Sequence, residues 1–213
     1  MLCVDDRAVT SDSHDSRPVG RRWYFLVAAV LLFFASLLYG AARLDDLPLL
    51  AEIFVVFFAL TAIKAHKIMS PTESVWGRVV GRDAALFATA ILLMQASWHW
   101  LTWGDLDIVH IGLVELLSVL IVAPLIEEAV FRGLLFNALN CGQRRAAVFL
   151  QVFLCALFFA VWHLKYWGTW SLPLMLIAGV IFGIARHRSG GILLPVALHA
   201  LMNVIAVCIS LWR

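Results

Sequence analysis

Charged residues are scarce in this 213-residue chain: Asp, Glu, Lys and Arg make up 14% of it, against roughly 25% in a soluble globular domain. Net charge is scarce as well, at +2, and no run of Lys and Arg forms a patch, so nucleic acid is not an expected partner. There are four cysteines, Cys3, Cys141, Cys155 and Cys208, and none has CxxC spacing, which argues against a zinc ribbon or a thioredoxin-type pair. Cys155 and Cys208 sit in apolar runs and read as small core residues. Internal repeats, low-complexity tracts and a second domain are also missing. The only sizeable polar connection is residues 64–83, "KAHKIMSPTESVWGRVVGRD". The first 22 residues are polar and mixed in charge, as in a disordered cytoplasmic tail. No small-residue cleavage site follows them, so they do not read as a secretory signal.

What the chain has instead is hydrocarbon. Apolar residues are 63% of the sequence and the mean hydropathy is +0.93, the composition of an integral membrane protein. Apolar stretches recur at about 23–42, 48–63, 84–103, 108–139, 146–163, 169–185 and 190–212, and a membrane-crossing helix needs roughly 20 residues. The expected fold is therefore all-α. It is a polytopic transmembrane bundle of about seven spans over residues 23–213, with the fourth stretch long enough to project beyond the bilayer.

Basic residues orient such a bundle, because short cytoplasmic loops collect them. With a cytoplasmic N-terminus, Arg7, Arg17, Arg21, Arg22, Lys64, Lys67, Arg78, Arg82, Arg144, Arg145, Arg186 and Arg188 fall inside, against Arg43, Lys165 and Arg213 outside. Tryptophans, which favour the membrane boundary, agree: Trp98, Trp100, Trp103, Trp162, Trp167, Trp170 and Trp212 fall near outer ends, and Trp23 and Trp76 near inner ones.

Against this background the segment "PLIEEAVFRG", residues 124–133, places two carboxylates and an arginine in an apolar run. Ionisable groups inside a span are costly and mark function by default. Glu52, His99 and His110 lie near proposed outer ends, where interfacial hydration accounts for them, and Glu115 also has a structural reading. The deeper residues form spaced pairs. Glu128 and Arg132 are i and i+4, so they share one helix face and neutralise each other, in the favourable acid-first order. Glu127 points about 100° away and stays outside that pairing. Phe159 and His163 repeat the spacing in "FAVWH", and His199 and Asn203 in "HALMN". Polar groups on separate apolar helices need polar company, and one shared pocket supplies it most economically. A pocket of Glu, two His and Asn has the parts for acyl hydrolysis by water: a carboxylate base, an orienting imidazole and oxyanion donors. A hydrogen-bond network that only glues helices together is the structural alternative.

The ordered set "EEAVFR", "FAVWH" and "HALMN" resembles the three signatures of the CPBP family of intramembrane proteases, which takes in the type II CAAX prenyl endopeptidases and abortive-infection proteins. The resemblance covers about residues 110–212, a protease-like core at 108–212; the first three helices carry no matching signature. It implies an endopeptidase, acting on a membrane-associated protein or peptide, in which Glu127 and His163 activate water and His199 and Asn203 form the oxyanion hole. Glu128, Arg132 and Phe159 fall at supporting positions. No cofactor is implied, with zinc held by Glu127, His163 and His199 as the alternative. No HExxH, GxGD or GxSG motif of other intramembrane proteases is present. A non-catalytic scaffold or immunity protein on this fold, and a proton- or ion-coupled transporter, are the competing classes. The transporter lacks inverted repeats. The expected location is a bacterial inner membrane. One difficulty remains within the sequence: His163 falls near the outer end of its helix, whereas His199 falls in the inner third of its own.

Overall fold

The computed structural model describes residues 76–101, 112–139, 144–167 and 169–211, all of it helix and connection with no strand among the described residues. The expected tail, the stretches at 23–42 and 48–63, Glu52, His110 and Cys141 lie outside them. Five helical elements follow in order: α1, Gly81–Leu101; α2, residues 113–138; α3, Arg145–Trp167; α4, Leu172–Ser189, entered through a 3₁₀ turn at Thr169–Ser171; and α5, Leu193–Leu211. Gly81–Leu101, Arg145–Leu164, Thr169–Ser189 and Leu193–Leu211 are each long and apolar enough to cross a membrane.

Residues 113–138 depart from the expected single α-helix, because two stretches of π-helix, Ser118–Val122 and Ala129–Leu135, interrupt it while the chain stays in right-handed helical geometry at each junction. Its N-terminus is capped by Glu115, whose carboxylate accepts the Gly112 N–H, which settles that acid into a structural task. The bounds of the other helices shift by a few residues from the apolar runs, since a run ends with its last apolar residue and a helix ends with its cap. Thus α4 continues through Arg186, His187 and Arg188 and stops at Gly190, whose φ of 70° makes a left-handed cap.

The core joins all five elements, through Phe87 and Ile91 of α1, Phe131 and Leu135 of α2, Cys155 and Phe159 of α3, Ala178 and Phe182 of α4, and Leu198 and Met202 of α5. Leu93, Phe149, Ile177 and Val204 face outwards, as they do when the surrounding solvent is lipid. Helices α3 and α4 pack along most of their length. They approach closely because Gly179 presents no side chain: a Cβ there would lie 2.8 Å from the Ala156 Cα. Helix α5 contacts α1, α2 and α4, and Gln95 of α1 donates to the Met202 carbonyl at 3.1 Å.

The end of the bundle at the α4–α5 turn is tied to the segment before α1. Arg78 N–H donates to the Ser189 carbonyl and Leu193 N–H to the Trp76 carbonyl. Arg188 clamps Asp83 with two bonds of 2.9 and 2.7 Å. Gly77 and Gly191 meet backbone to backbone, and Gly77 has φ of 70° with the Gly191 nitrogen only 2.4 Å from where its Cβ would be. Gly77→Ala therefore loses about 1–3 kcal/mol from the backbone conformation alone, read as a lower thermal midpoint in detergent. Gly81→Ala, at the start of α1 with open space around it, does not lower the midpoint.

Candidate active site

The site is assembled on α2, where Pro124 opens the α-helical segment Ala123–Glu128 between the two π stretches. In the first stretch the Ala123 N–H reaches back five residues to the Ser118 carbonyl. Pro124 has no N–H to continue that pattern onto Val119. The Val119 carbonyl instead accepts the side-chain amide of Asn203 on α5, at 2.8 Å. Asn203 thus holds the backbone bond that proline leaves open.

The second π stretch poses the same problem at its exit. The Phe136 N–H reaches back five residues to Phe131, and the Leu139 N–H only four, to Leu135. Two intervening N–H groups, those of residues 137 and 138, face three carbonyls, those of residues 132–134. One carbonyl is left over, and Arg186 of α4 donates its Nε–H to the carbonyl of Arg132 at 3.0 Å.

Between the two stretches sit the adjacent glutamates, and they part as a 100° step requires. Glu128 is fully buried. Its Oε1 accepts Arg132 Nη1 at 2.9 Å and His199 Nδ1 at 2.9 Å. Arg132, equally buried, sends its other terminal nitrogen to the Gly179 carbonyl at 3.1 Å. Its guanidinium carbon lies 4.5, 5.2 and 5.8 Å from the ring centres of Phe159, Phe182 and Phe131, cation–π contacts within a fully buried cluster. Phe182 stacks on His199 at 5.2 Å, and Phe159 lies 4.4 Å from the His163 ring and 5.7 Å from that of His199. Phe159 is thus the hinge of an aromatic shell around both imidazoles and the arginine.

Glu127 points into the remaining space. Its Oε2 lies 3.4 Å from His163 Nε2 and 3.9 Å from His199 Nε2, yet has no hydrogen-bond partner among the described residues. The other nitrogen of each imidazole is already committed. His163 Nδ1 lies 2.8 Å from the Phe159 carbonyl, which only accepts, so Nδ1 carries the proton. His199 Nδ1 faces a carboxylate already bonded to arginine, so it too is the donor. In their neutral forms both rings therefore present an Nε2 lone pair to Glu127. Three acceptors facing one another need a donor between them, and a water molecule fills that need chemically.

Glu127, Glu128, Arg132, Phe159, His163 and His199 come together in one cluster; Asn203 joins it one turn beyond His199, through the α2 backbone. His163 is about 27 Å along α3 and His199 about 9 Å along α5, at ~1.5 Å per residue. Their meeting on one carboxylate oxygen requires those two helices to be staggered or tilted, which removes the difficulty in depth. The residues that sequence reasoning missed are Arg186, placed among loop cations, and Gly179, both recognised only by what they bond. Zinc has suitable donor types here in one carboxylate and two imidazoles. Among the described residues, however, no group of three or more His, Cys, Asp or Glu is arranged to hold a metal ion.

Comparison with known proteins supports the same region. Residues 109–205 match the family described as type II CAAX prenyl endopeptidase Rce1-like, in keeping with the CPBP resemblance. An uncharacterized 24.3 kDa protein of Escherichia coli is 37% identical over 87 residues, which are 41% of this chain and 40% of that protein. The chain thus spans well under half the length of that relative. No solved structure matches.

The buried pair makes a directional prediction. Arg132→Ala strands the Glu128 carboxylate, at a cost of about 3–5 kcal/mol, so the yield of folded protein falls. The double change with Glu128→Ala recovers part of that yield, measured by size-exclusion profile and thermal midpoint.

Proposed function

With residues 109–205 matching the Rce1-like family, we propose that this chain is an intramembrane endopeptidase that hydrolyses a peptide bond in a membrane-associated protein or peptide. The observation that carries this reading is the Glu127 oxygen lying 3.4 and 3.9 Å from two Nε2 atoms while bonded to neither. A water there gives one proton to Glu127 and is oriented by the His163 Nε2 lone pair. Its oxygen attacks the carbonyl carbon of the substrate. As the carbonyl oxygen gains charge it accepts from the second amide N–H of Asn203, whose first is tethered to Val119. The family resemblance places His199 beside Asn203 at this oxyanion position, with its Nε2 3.9 Å from the Glu127 oxygen. The proton held by Glu127 passes to the departing amide nitrogen, the C–N bond breaks, and a carboxyl and an amine terminus result.

Glu128 takes the supporting part, because its Oε1 is held by Arg132 and His199, whereas Glu127 is the carboxylate that faces both Nε2 atoms. Prenylated C-termini are one substrate class consistent with the family; unmodified membrane peptides are another. The four apolar helices make the protein integral to a membrane, and a bacterial inner membrane is the proposed site of action. No step of this scheme passes through a metal.

The test is quantitative proteomics of membrane fractions from cells carrying the wild type or Glu127→Gln, together with metal analysis of the purified protein. The expected result is at least one cleavage product lost with Glu127→Gln, equal amounts of folded protein, and no stoichiometric zinc. About one zinc per chain, lost with the substitution, points to a metalloprotease. Unchanged products in both strains point to the non-catalytic scaffold.

A further inference from the structure

Arg186 stands outside all three motifs, and its sequence position three residues before the end of α4 reads as an interfacial cation. In the fold it is buried, at 4% exposure. Its Nε donates to the Arg132 carbonyl at 3.0 Å, an Nη2 proton goes to Asn137 Oδ1 at 3.2 Å, and the guanidinium lies 5.5 Å from the centre of the Phe136 ring. Burying a cation at the foot of an apolar helix is costly unless it is bonded, and a residue needed only for topology would be cheaper at the surface.

The bonds it makes are reciprocal with those of the site. Arg132 of α2 donates to the backbone of α4 at Gly179, and Arg186 of α4 donates to the backbone of α2 at Arg132. The two attachment points on α4 are seven residues, about two turns, apart. Two guanidinium clamps with that separation fix how far α2 can slide or rotate against α4. Arg186 is also the α4 counterpart of Asn203 on α5, since each satisfies a carbonyl that a π stretch leaves without a main-chain donor.

We propose that Arg186 is a positioning residue for hydrolysis. By holding the exit of the second π stretch it sets the register of α2, and hence the distance from Glu127 to the two Nε2 atoms. It acts through the Arg132 backbone and touches neither substrate nor water. The proposal rests on the proteolytic reading for its kinetic consequence but not for its structural one.

The experiment uses the full chain in detergent or liposomes, with Arg186→Met, Arg186→Lys and, as a control two residues on, Arg188→Met. The substrate is a membrane peptide that wild type cuts and Glu127→Gln does not. Per folded molecule, Arg186→Met is expected to lower kcat about 10- to 100-fold, the range a misplacement near 1 Å produces, with KM within threefold. Arg186→Lys recovers part of the loss, and Arg188→Met leaves kcat unchanged. In parallel, hydrogen exchange across residues 129–137 rises in Arg186→Met and not in Arg188→Met. If Arg186→Met fails to fold, Asn137→Ala removes the Nη2 bond while leaving the Nε bond to the Arg132 carbonyl, and carries both readouts, with about a threefold loss of kcat expected. Wild-type kcat per folded molecule in these variants overturns the positioning role, whether or not exchange changes. If no peptide depends on Glu127, the proteolytic reading fails instead, and unchanged exchange across 129–137 then overturns the clamp itself.

Discussion

The arrangement depends on one carboxylate oxygen that accepts two bonds. Glu128 Oε1 accepts one hydrogen bond each from Arg132 and His199, both at 2.9 Å, with none of the side chain exposed. A charge at that depth survives only with a compensating charge and good hydrogen bonds. Arg132 supplies the first and His199 the second. The consequence reaches beyond stability, because the bond to Nδ1 turns the opposite nitrogen of His199 towards Glu127. Phe159 does the same for His163 through its carbonyl. Two neighbouring glutamates thereby acquire different surroundings: one is held through Oε1 by an arginine and a histidine, and the other turns an oxygen towards two imidazoles and bonds to neither.

Helix α2 makes this possible by not being a regular helix. Each π stretch widens the turn and leaves a carbonyl over, and in both places a polar side chain from another helix fills the gap: Asn203 at Val119 and Arg186 at Arg132. In a bilayer those carbonyls have no water to fall back on, so the distortion and its partners must be kept together. Helical distortions of this kind are concentrated at functional sites. Here the distortion brackets the two glutamates and ties α4 and α5 to the helix that carries them. Gly179 completes the join, since its missing side chain lets α3 and α4 close while its carbonyl, within the α4 ladder, also accepts from Arg132.

Much of the site was legible in the sequence because i, i+4 spacing in an apolar background has few explanations. Glu128 with Arg132, and His199 facing the glutamates, follow from the cost of leaving such groups alone in hydrocarbon. The separation of Glu127 from Glu128 follows from the helical period. The helical class and the apolar character of the four described spans were equally plain from composition, while the first two stretches fall outside the described residues. The π stretches were not legible, since a change from four- to five-residue bonding has no residue signature beyond a proline such as Pro124. Arg186 was misplaced for a related reason: a cation near a helix end reads as interfacial until the carbonyl it bonds is known. Asn203 was read as facing the pocket, and its tether to Val119 depends on a gap visible only in the backbone.

Nitrogen-15 NMR of histidine-labelled protein tests the division of roles most directly, because it reports which ring nitrogen carries a proton. The bonds described above predict a protonated Nδ1 on both His163 and His199 in the wild type. In Glu128→Ala, His199 loses that fixed assignment while His163, held by the Phe159 carbonyl, keeps it. A wild-type His199 protonated at Nε2 alone, or one indifferent to the loss of Glu128, would contradict the account.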